Sequence, residues 1–207
     1  FNTIINLKYA LVIDPDIFQV NDGVEGLLDF DTKNMAIHAR KGIYRNSWGS
    51  SAMLLSCGQL RHWSIEELIV KLHDGEIDYD DLINLRIENE PIGELETKWN
   101  EFDEIKDNTI LLHTTEKITQ PWRAGLKLNS SIPPLFRYIP RAPIYKLLGK
   151  DLTVGREHPH QNVTDFFFRE LAICLRENII SDNELNLAVN KKFIRSDIHE
   201  KLKDYKI

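Results

Sequence analysis

Two carboxylates separated by one proline, Asp14-Pro15-Asp16, give the sequence its most chemically specific signal. They follow Ala10–Ile13, a short apolar run of the kind that forms a strand buried on both faces. A turn at the end of a strand can bring both side chains together, and paired hard oxygen ligands suit Mg²⁺ or Mn²⁺ shared with substrate phosphates. The alternative is an ordinary strand end, because Asp and Pro are also common turn residues.

His113 ends a second apolar run, Ile110–Leu112, and is a candidate third ligand because imidazole binds Mn²⁺ well. Lys117 and Arg123 follow shortly after and could neutralise a diphosphate. There are simpler interpretations: His113 is an ordinary histidine at a strand end, and Lys117 and Arg123 are basic residues on the surface.

A second acidic group, which includes Asp80 and Asp81, precedes a predicted helix. These two side chains are candidates for catalysis or for binding an acceptor. A solvated acidic turn explains them equally well.

The elements that must position these residues alternate between strand and helix patterns. Further strands are predicted at 34–40 and 51–55, and a capping box at Ser64–Glu67 opens a helix. A helical stripe follows from 166 to 175, and a second capping box lies at Ser181–Glu184. The pattern predicts a mixed α/β core over residues 1–123 and a proline-containing, mostly helical extension over 124–207.

Composition excludes several classes of protein. The 207 residues carry a formal net charge of −6, which argues against a general nucleic-acid binder. Hydrophobic residues make up 42%, but no apolar run approaches the ~18 residues that span a bilayer. Two cysteines are too few for a disulfide framework. These features predict a cytoplasmic protein.

Five segments occur in an order that resembles the GT-A glycosyltransferases of the glycogenin and lipopolysaccharide galactosyltransferase type. The resemblance covers about residues 9–123. Its segments are the strand with Asp-x-Asp (10–17), Leu27–Asp31, Ser50–Leu55, Leu95–Asn100, and His113 through Pro121-Trp122. It implies a Rossmann-like mixed sheet flanked by helices, and transfer of a sugar from a nucleotide-diphosphate sugar, such as a UDP-sugar, to a glycan acceptor.

The resemblance also implies roles for individual residues. Asp14, Asp16 and His113 would hold Mn²⁺ or Mg²⁺ against the diphosphate. Four residues in or near the closing segment would contact the nucleotide sugar: Lys117, Gln120, Trp122 and Arg123. Three residues of two earlier segments would contact substrate: Ser50, Ser51 and Asn100.

The sequence departs from this family in three places. Ser50 and Ala52 stand where the family has Asn and Gly, and Gln120 stands where it has Lys. Only 13 residues precede Asp14, whereas the family places a nucleotide-binding region there. We therefore expect either the C-terminal piece of a longer protein, which the start at Phe1 favours, or a reduced relative that cannot bind the donor normally. In either case we expect these 207 residues alone to be inactive.

Two alternative functions stay open. One is a non-catalytic GT-A-like module that binds a glycan or a partner. The other, less favoured, is a nucleotidyltransferase, which also uses paired Asp with Mg²⁺ but needs a Gly-rich loop that this chain lacks. Separately, the basic, aromatic-bearing segment 124–160 predicts either peripheral contact with an anionic membrane or packing on the core.

Overall fold

The computed structural model describes residues 7–42, 47–128 and 153–205. The chain divides into two compact units, one of residues 1–102 and 106–113, the other of residues 103–105 and 114–207. The described residues of the first unit form seven strands and two α-helices: β1 (Tyr9–Ile13), β2 (Ile17–Gln19), β3 (Ile37–Lys41), β4 (Trp48–Ser56), α1 (Ile65–His73), α2 (Tyr79–Ile83), β5 (Gly93–Glu94), β6 (Glu101–Phe102) and β7 (Leu111–His113).

These strands make two mixed sheets. The first has the order β1-β4-β3-β5, antiparallel except for the parallel pair β3/β5. The second has the order β2-β7-β6, with β2/β7 antiparallel and β6/β7 parallel. The predicted mixed α/β class is confirmed.

Strand β4 is the centre of the first unit because both of its faces are buried. Met53 and Leu55 face one apolar cluster, which includes Ile37 and Leu60. Leu54 faces another cluster on the opposite side, with Leu95 and Trp99 among its members. The alternation of side chains along a strand explains why successive residues enter different clusters.

Strand β1 lies at the edge of the same sheet, and its burial differs from the prediction. We expected Ala10–Ile13 to be buried on both faces, and this is wrong. Leu11 is 38% exposed and Ile13 is 47% exposed. Leu11 and Ile13 alternate with Ala10 and Val12, which pack against the cluster that contains Met53, so one face of β1 is covered and the other is largely open.

The second unit contains three described α-helices: α3 (Gln161–Arg176), α4 (Asp182–Asn190) and α5 (Ile198–Lys201). Their apolar faces meet around Phe168, Leu185 and Ile198. The capping box predicted at Ser181 and Glu184 is confirmed, since each side chain accepts a hydrogen bond from the other residue's backbone N–H.

The loop before α3 contains a glycine that no other residue can replace without displacement of the backbone. A Cβ on Gly155 would lie 2.0 Å from the carbonyl oxygen of Arg123. This close approach allows Gly155 to exchange backbone hydrogen bonds with Gly125 and Leu126.

The predicted irregular stretch 129–150 and much of the basic segment 124–160 lie outside the described residues, so membrane contact stays a prediction. Within the described part of the chain, no helix combines the length and the apolar character needed to cross a membrane. The division of the chain at residue 123 into a core and an extension also stays a prediction.

Candidate metal centre

Asp14 and Asp16 lie in the tight turn that connects β1 to β2. The N–H of Ile17 donates to the carbonyl of Asp14 at 3.1 Å, which closes the turn. The N–H of Asp14 donates to the carbonyl of Ser51 at 2.8 Å and so fastens the turn to β4. The turn therefore presents two carboxylates from a backbone that is fixed on both sides.

The pairing of β2 with β7 in the second sheet places His113 beside this turn. It is the last residue of β7 and pairs with Ile17, the residue that follows Asp16. Its Nε2 lies 3.5 Å from Asp16 Oδ1, and its side chain is 12% exposed. The ring of Phe102 meets it edge to face, with 5.6 Å between the centroids.

An apolar layer below the turn holds the two sheets together. Ile17 of β2, Leu111 of β7 and Ala52 of β4 are buried in one cluster. Ala52 belongs to the first sheet, and the other two belong to the second sheet. Hydrophobic packing thus fixes β7 against the strand that carries the hydrogen bond to Asp14.

One ligand atom from each of Asp14, Asp16 and His113 lies within 4.8 Å of the other two. Atoms that bind one ion at about 2.0–2.6 Å lie at most about 5 Å apart, so this spacing fits a single cation. Two carboxylates and one imidazole suit Mn²⁺ or Mg²⁺ by the chemistry of the donor set. The fold brings together the three residues that the sequence singled out as ligands, and their role as ligands stays a prediction.

The predicted substrate residues Ser50, Ser51 and Asn100 are also in the first unit. Ser50 and Ser51 lie in β4, and Asn100 directly precedes β6. The Nδ2 of Asn100 donates to Ser51 Oγ at 3.0 Å. Ser51 is 9% exposed and Asn100 is fully buried, whereas Ser50 is half-buried. Their substrate role stays a prediction.

Asp80 and Asp81 lie in the first turn of α2. Asp81 forms a reciprocal capping box with Asp78, and its other carboxylate oxygen lies 3.5 Å from Arg86. Asp80 is exposed. Helix capping explains the position of Asp81 locally, and a catalytic role for either residue stays a prediction.

The second unit holds the four residues expected to contact the nucleotide sugar. Lys117 is exposed, and Arg123 is half-buried. The buried Gln120 donates from Nε2 to the carbonyl of Thr114 at 2.9 Å. Trp122 packs on Phe167 of α3, with ring centroids 5.2 Å apart. The side chains of Gln120 and Trp122 thus have defined partners within their own unit, and the cofactor role of all four residues stays a prediction.

Sequence reasoning did not find Arg40, which lies behind His113. Its guanidinium is 3.8 Å from the centroid of the Phe102 ring and 3.4 Å from Glu101. Burial lowers the pKa of Arg40, and the charge of Glu101 partly offsets this effect. Arg40 ends a predicted alternating strand, and no spacing signal distinguishes it from an exposed basic residue at a strand end.

Comparison with known proteins gives partial structural likenesses. No protein-family model matches the chain, and the search of curated proteins found no match. A structure of the galactosyltransferase LgtC in complex with donor and acceptor sugar analogues is similar over 56% of this chain and 55% of LgtC, with 12% identity and a TM-score of 0.45. The glycosyltransferase GlyE of Streptococcus pneumoniae TIGR4 is similar over 56% of this chain and 36% of GlyE, with 13% identity and a TM-score of 0.45. The chain therefore spans about half the length of LgtC and just over a third of GlyE, and likenesses of this size assign no function.

Proposed function

We propose that this chain carries the metal-binding part of a glycosyltransferase, which moves a sugar from a nucleotide-diphosphate sugar to a glycan acceptor. The observation that carries the proposal is the convergence of Asp14, Asp16 and His113 within 4.8 Å. Two of them come from the turn after β1, and the third comes from the end of a strand in the other sheet. The order of sequence segments that resembles GT-A enzymes favours glycosyl transfer over other metal-dependent phosphate chemistry.

The donor set matches what such a reaction requires. A nucleoside diphosphate leaves poorly unless the charge that develops on it is neutralised. A divalent cation, when bound, supplies that neutralisation as a Lewis acid. Asp14 and Asp16 contribute two negative charges toward such a cation, and His113 contributes a neutral nitrogen. Three protein ligands leave coordination positions for phosphate oxygens, which is the usual arrangement for Mg²⁺ bound with a phosphorylated substrate.

The surroundings of the three residues favour a fixed geometry. The backbone of Asp14 is held by Ser51, and the ring of His113 is packed on Phe102. Asp14 is exposed, which leaves one side of the group open to a ligand from solvent. Lys117 and Arg123 remain candidates for further neutralisation of the diphosphate, on sequence grounds alone.

Calorimetric titration of UDP with Mn²⁺, and then with EDTA, tests the donor side of the proposal. We expect UDP to bind in the presence of Mn²⁺, and the heat to disappear when EDTA removes the ion. The same titration with Asp16→Asn should give no Mn²⁺-dependent heat. Sugar transfer by the whole protein that is unchanged in Asp16→Ala would contradict the proposal.

A further inference from the structure

The ligands of the candidate metal centre come from two sheets, so something must fix one sheet against the other. Asp14 is fastened to the first sheet by the carbonyl of Ser51 on β4. His113 belongs to the second sheet. The hydrophobic cluster under the turn provides adhesion, but apolar packing is not directional and sets distances less strictly than hydrogen bonds do.

The hydrogen bond from Asn100 Nδ2 to Ser51 Oγ, at 3.0 Å, is a direct polar link between β4 and the residue that precedes β6. Ser51 is the same residue whose carbonyl accepts from the N–H of Asp14. One residue of β4 thus holds Asp14 through its backbone and Asn100 through its side chain.

Asn100 is also connected to His113, through strand β6. The next two residues, Glu101 and Phe102, form β6, and Phe102 is the parallel partner of His113. The Phe102 ring also packs against the imidazole, as described above. A shift of Asn100 along the chain direction would therefore move both the backbone partner and the ring contact of His113.

Arg40 fixes the same short segment from β3 of the first sheet. It donates to the carbonyl of Asn100 and lies over the face of the Phe102 ring. Glu101, whose side chain is 4% exposed, accepts from Arg40 at 3.4 Å and pairs with Lys106 at 3.1 Å. Charged hydrogen bonds of this kind are directional and stronger than neutral ones when they are partly buried.

Stability alone does not explain an amide at position 100. It is fully buried, and its Oδ1 has no hydrogen-bond partner among the residues that the structure describes. A buried acceptor without a partner lowers the stability of the folded state, and an apolar side chain of similar size avoids that loss. What the amide provides instead is a fixed geometry, because its Nδ2 reaches Ser51 Oγ.

We propose that Asn100, acting through Ser51 and through the register of β6, is a positioning residue that sets Asp14 and His113 at the spacing a metal ion requires. This inference rests on the metal centre of the proposed function. It gives Asn100 and Ser51 a role that needs no contact with substrate.

Mn²⁺ binding by the purified chain, without nucleotide, tests the proposal. We expect Ser51→Ala and Asn100→Leu each to weaken Mn²⁺ binding about 10–100-fold, the usual effect of removing a group that orients a metal ligand. The double variant should bind no more weakly than the weaker single variant, because both changes break one link. Ser51→Ala removes only a hydroxyl group and keeps the test valid if Asn100→Leu does not fold.

Ser56→Ala is the matched control. Ser56 is a buried residue on the same strand, β4, and its Oγ donates to the carbonyl of Met35 at 3.0 Å. Its loss should lower stability by a similar amount and leave Mn²⁺ affinity unchanged. Wild-type Mn²⁺ affinity in both Ser51→Ala and Asn100→Leu would overturn the proposal, as would an equal loss in Ser56→Ala.

A second readout separates this proposal from the proposed function. If the wild-type chain binds no Mn²⁺, the metal centre itself fails. Nuclear magnetic resonance signals of the metal-free protein then decide the positioning role. Shifts of the Asp14 amide and the His113 imidazole in both variants, but not in Ser56→Ala, would support it. Unchanged signals would overturn it.

Discussion

His113 Nε2 lies 3.5 Å from Asp16 Oδ1, although the two residues come from opposite ends of the first unit's sequence. The antiparallel register of β2 and β7 sets this distance, because it pairs His113 with Ile17. The contact places an imidazole nitrogen next to a carboxylate oxygen, and a carboxylate oxygen of Asp14 lies within 4.8 Å of both.

Asp16→Asn should weaken Mn²⁺ binding at least about tenfold, because an amide oxygen lacks the charge that a divalent ion needs. The measurement is the rise in melting temperature on addition of Mn²⁺, which reports binding to the folded state. The rise should be clear for the wild-type chain and small for Asp16→Asn. Asp22→Asn, which removes an exposed carboxylate outside the group, serves as the control. An equal rise in all three proteins would show that Mn²⁺ does not bind at Asp16.

The candidate centre was largely predictable from local sequence, because its residues end apolar runs. The strands before Asp14 and His113 have strong local patterns, and both strands are present as β1 and β7. The convergence itself was not predictable, since it depends on the short strand β2 and on the order β2-β7-β6. Three-residue strands such as β2 have almost no periodic signal.

The residues that hold the candidate ligands in place were harder to predict than the ligands themselves. Asn100 was expected to contact substrate, and the fold buries it against Ser51. Arg40 has no distinguishing neighbour in sequence, because its partners Asn100, Glu101 and Phe102 come from a segment much later in the chain. Contacts between segments distant in sequence are set by tertiary packing, which local propensity does not encode.

Phe168→Ala should lower the free energy of unfolding of the second unit by about 3–5 kcal/mol. Phe168 of α3 is fully buried in the apolar cluster with Leu185 and Ile198. Its ring stacks on that of Tyr205, with 5.4 Å between the centroids. Truncation leaves a cavity that the surrounding helices fill incompletely. Urea denaturation followed by far-ultraviolet circular dichroism measures the change. Phe193→Ala is the matched control, because Phe193 is 66% exposed and should lose much less. Similar losses in both variants would place Phe168 outside the core.

Ser181→Ala should destabilise α4 by about 0.5–2 kcal/mol. The Ser181 hydroxyl accepts from the N–H of Glu184, and the Glu184 carboxylate accepts from the N–H of Ser181. Two bonds donated to the Glu184 carboxylate lower its pKa: the one from the Ser181 N–H contributes most, and one from the Ser181 hydroxyl adds to it. Hydrogen exchange of the first-turn amides of α4 measures the effect, and exchange should accelerate there before it does in α3. Ser196→Ala removes an exposed hydroxyl outside the box and should leave these amides unchanged. Unchanged exchange in Ser181→Ala would mean that the box does not hold the end of the helix.

The ion cluster around Arg195 should make the stability of the second unit depend on pH in the acid range. Arg195 has a side chain that is 4% exposed, and it donates two hydrogen bonds to Glu157, at 2.6 and 2.9 Å, and two to Asp197, at 2.5 and 2.7 Å. Hydrogen bonds from Arg195 hold the pKa of both carboxyl groups below their ordinary values of 4.5 and 3.8.

A carboxyl group with a lowered pKa in the folded state stabilises the fold above its ordinary pKa, and this contribution is lost as pH falls through the folded value. We therefore expect stability to decrease from about pH 5 downward, and to decrease less steeply in Glu157→Gln, which keeps a hydrogen-bond acceptor without the titrating group. Solvent screening makes the effect modest, because Glu157 is 53% exposed. Glu170→Gln, which removes an exposed carboxylate on α3, should follow the wild-type curve. Urea midpoints across this pH range measure the slopes, and identical slopes for the wild-type chain and Glu157→Gln would show that Arg195 does not couple folding to the ionisation of Glu157.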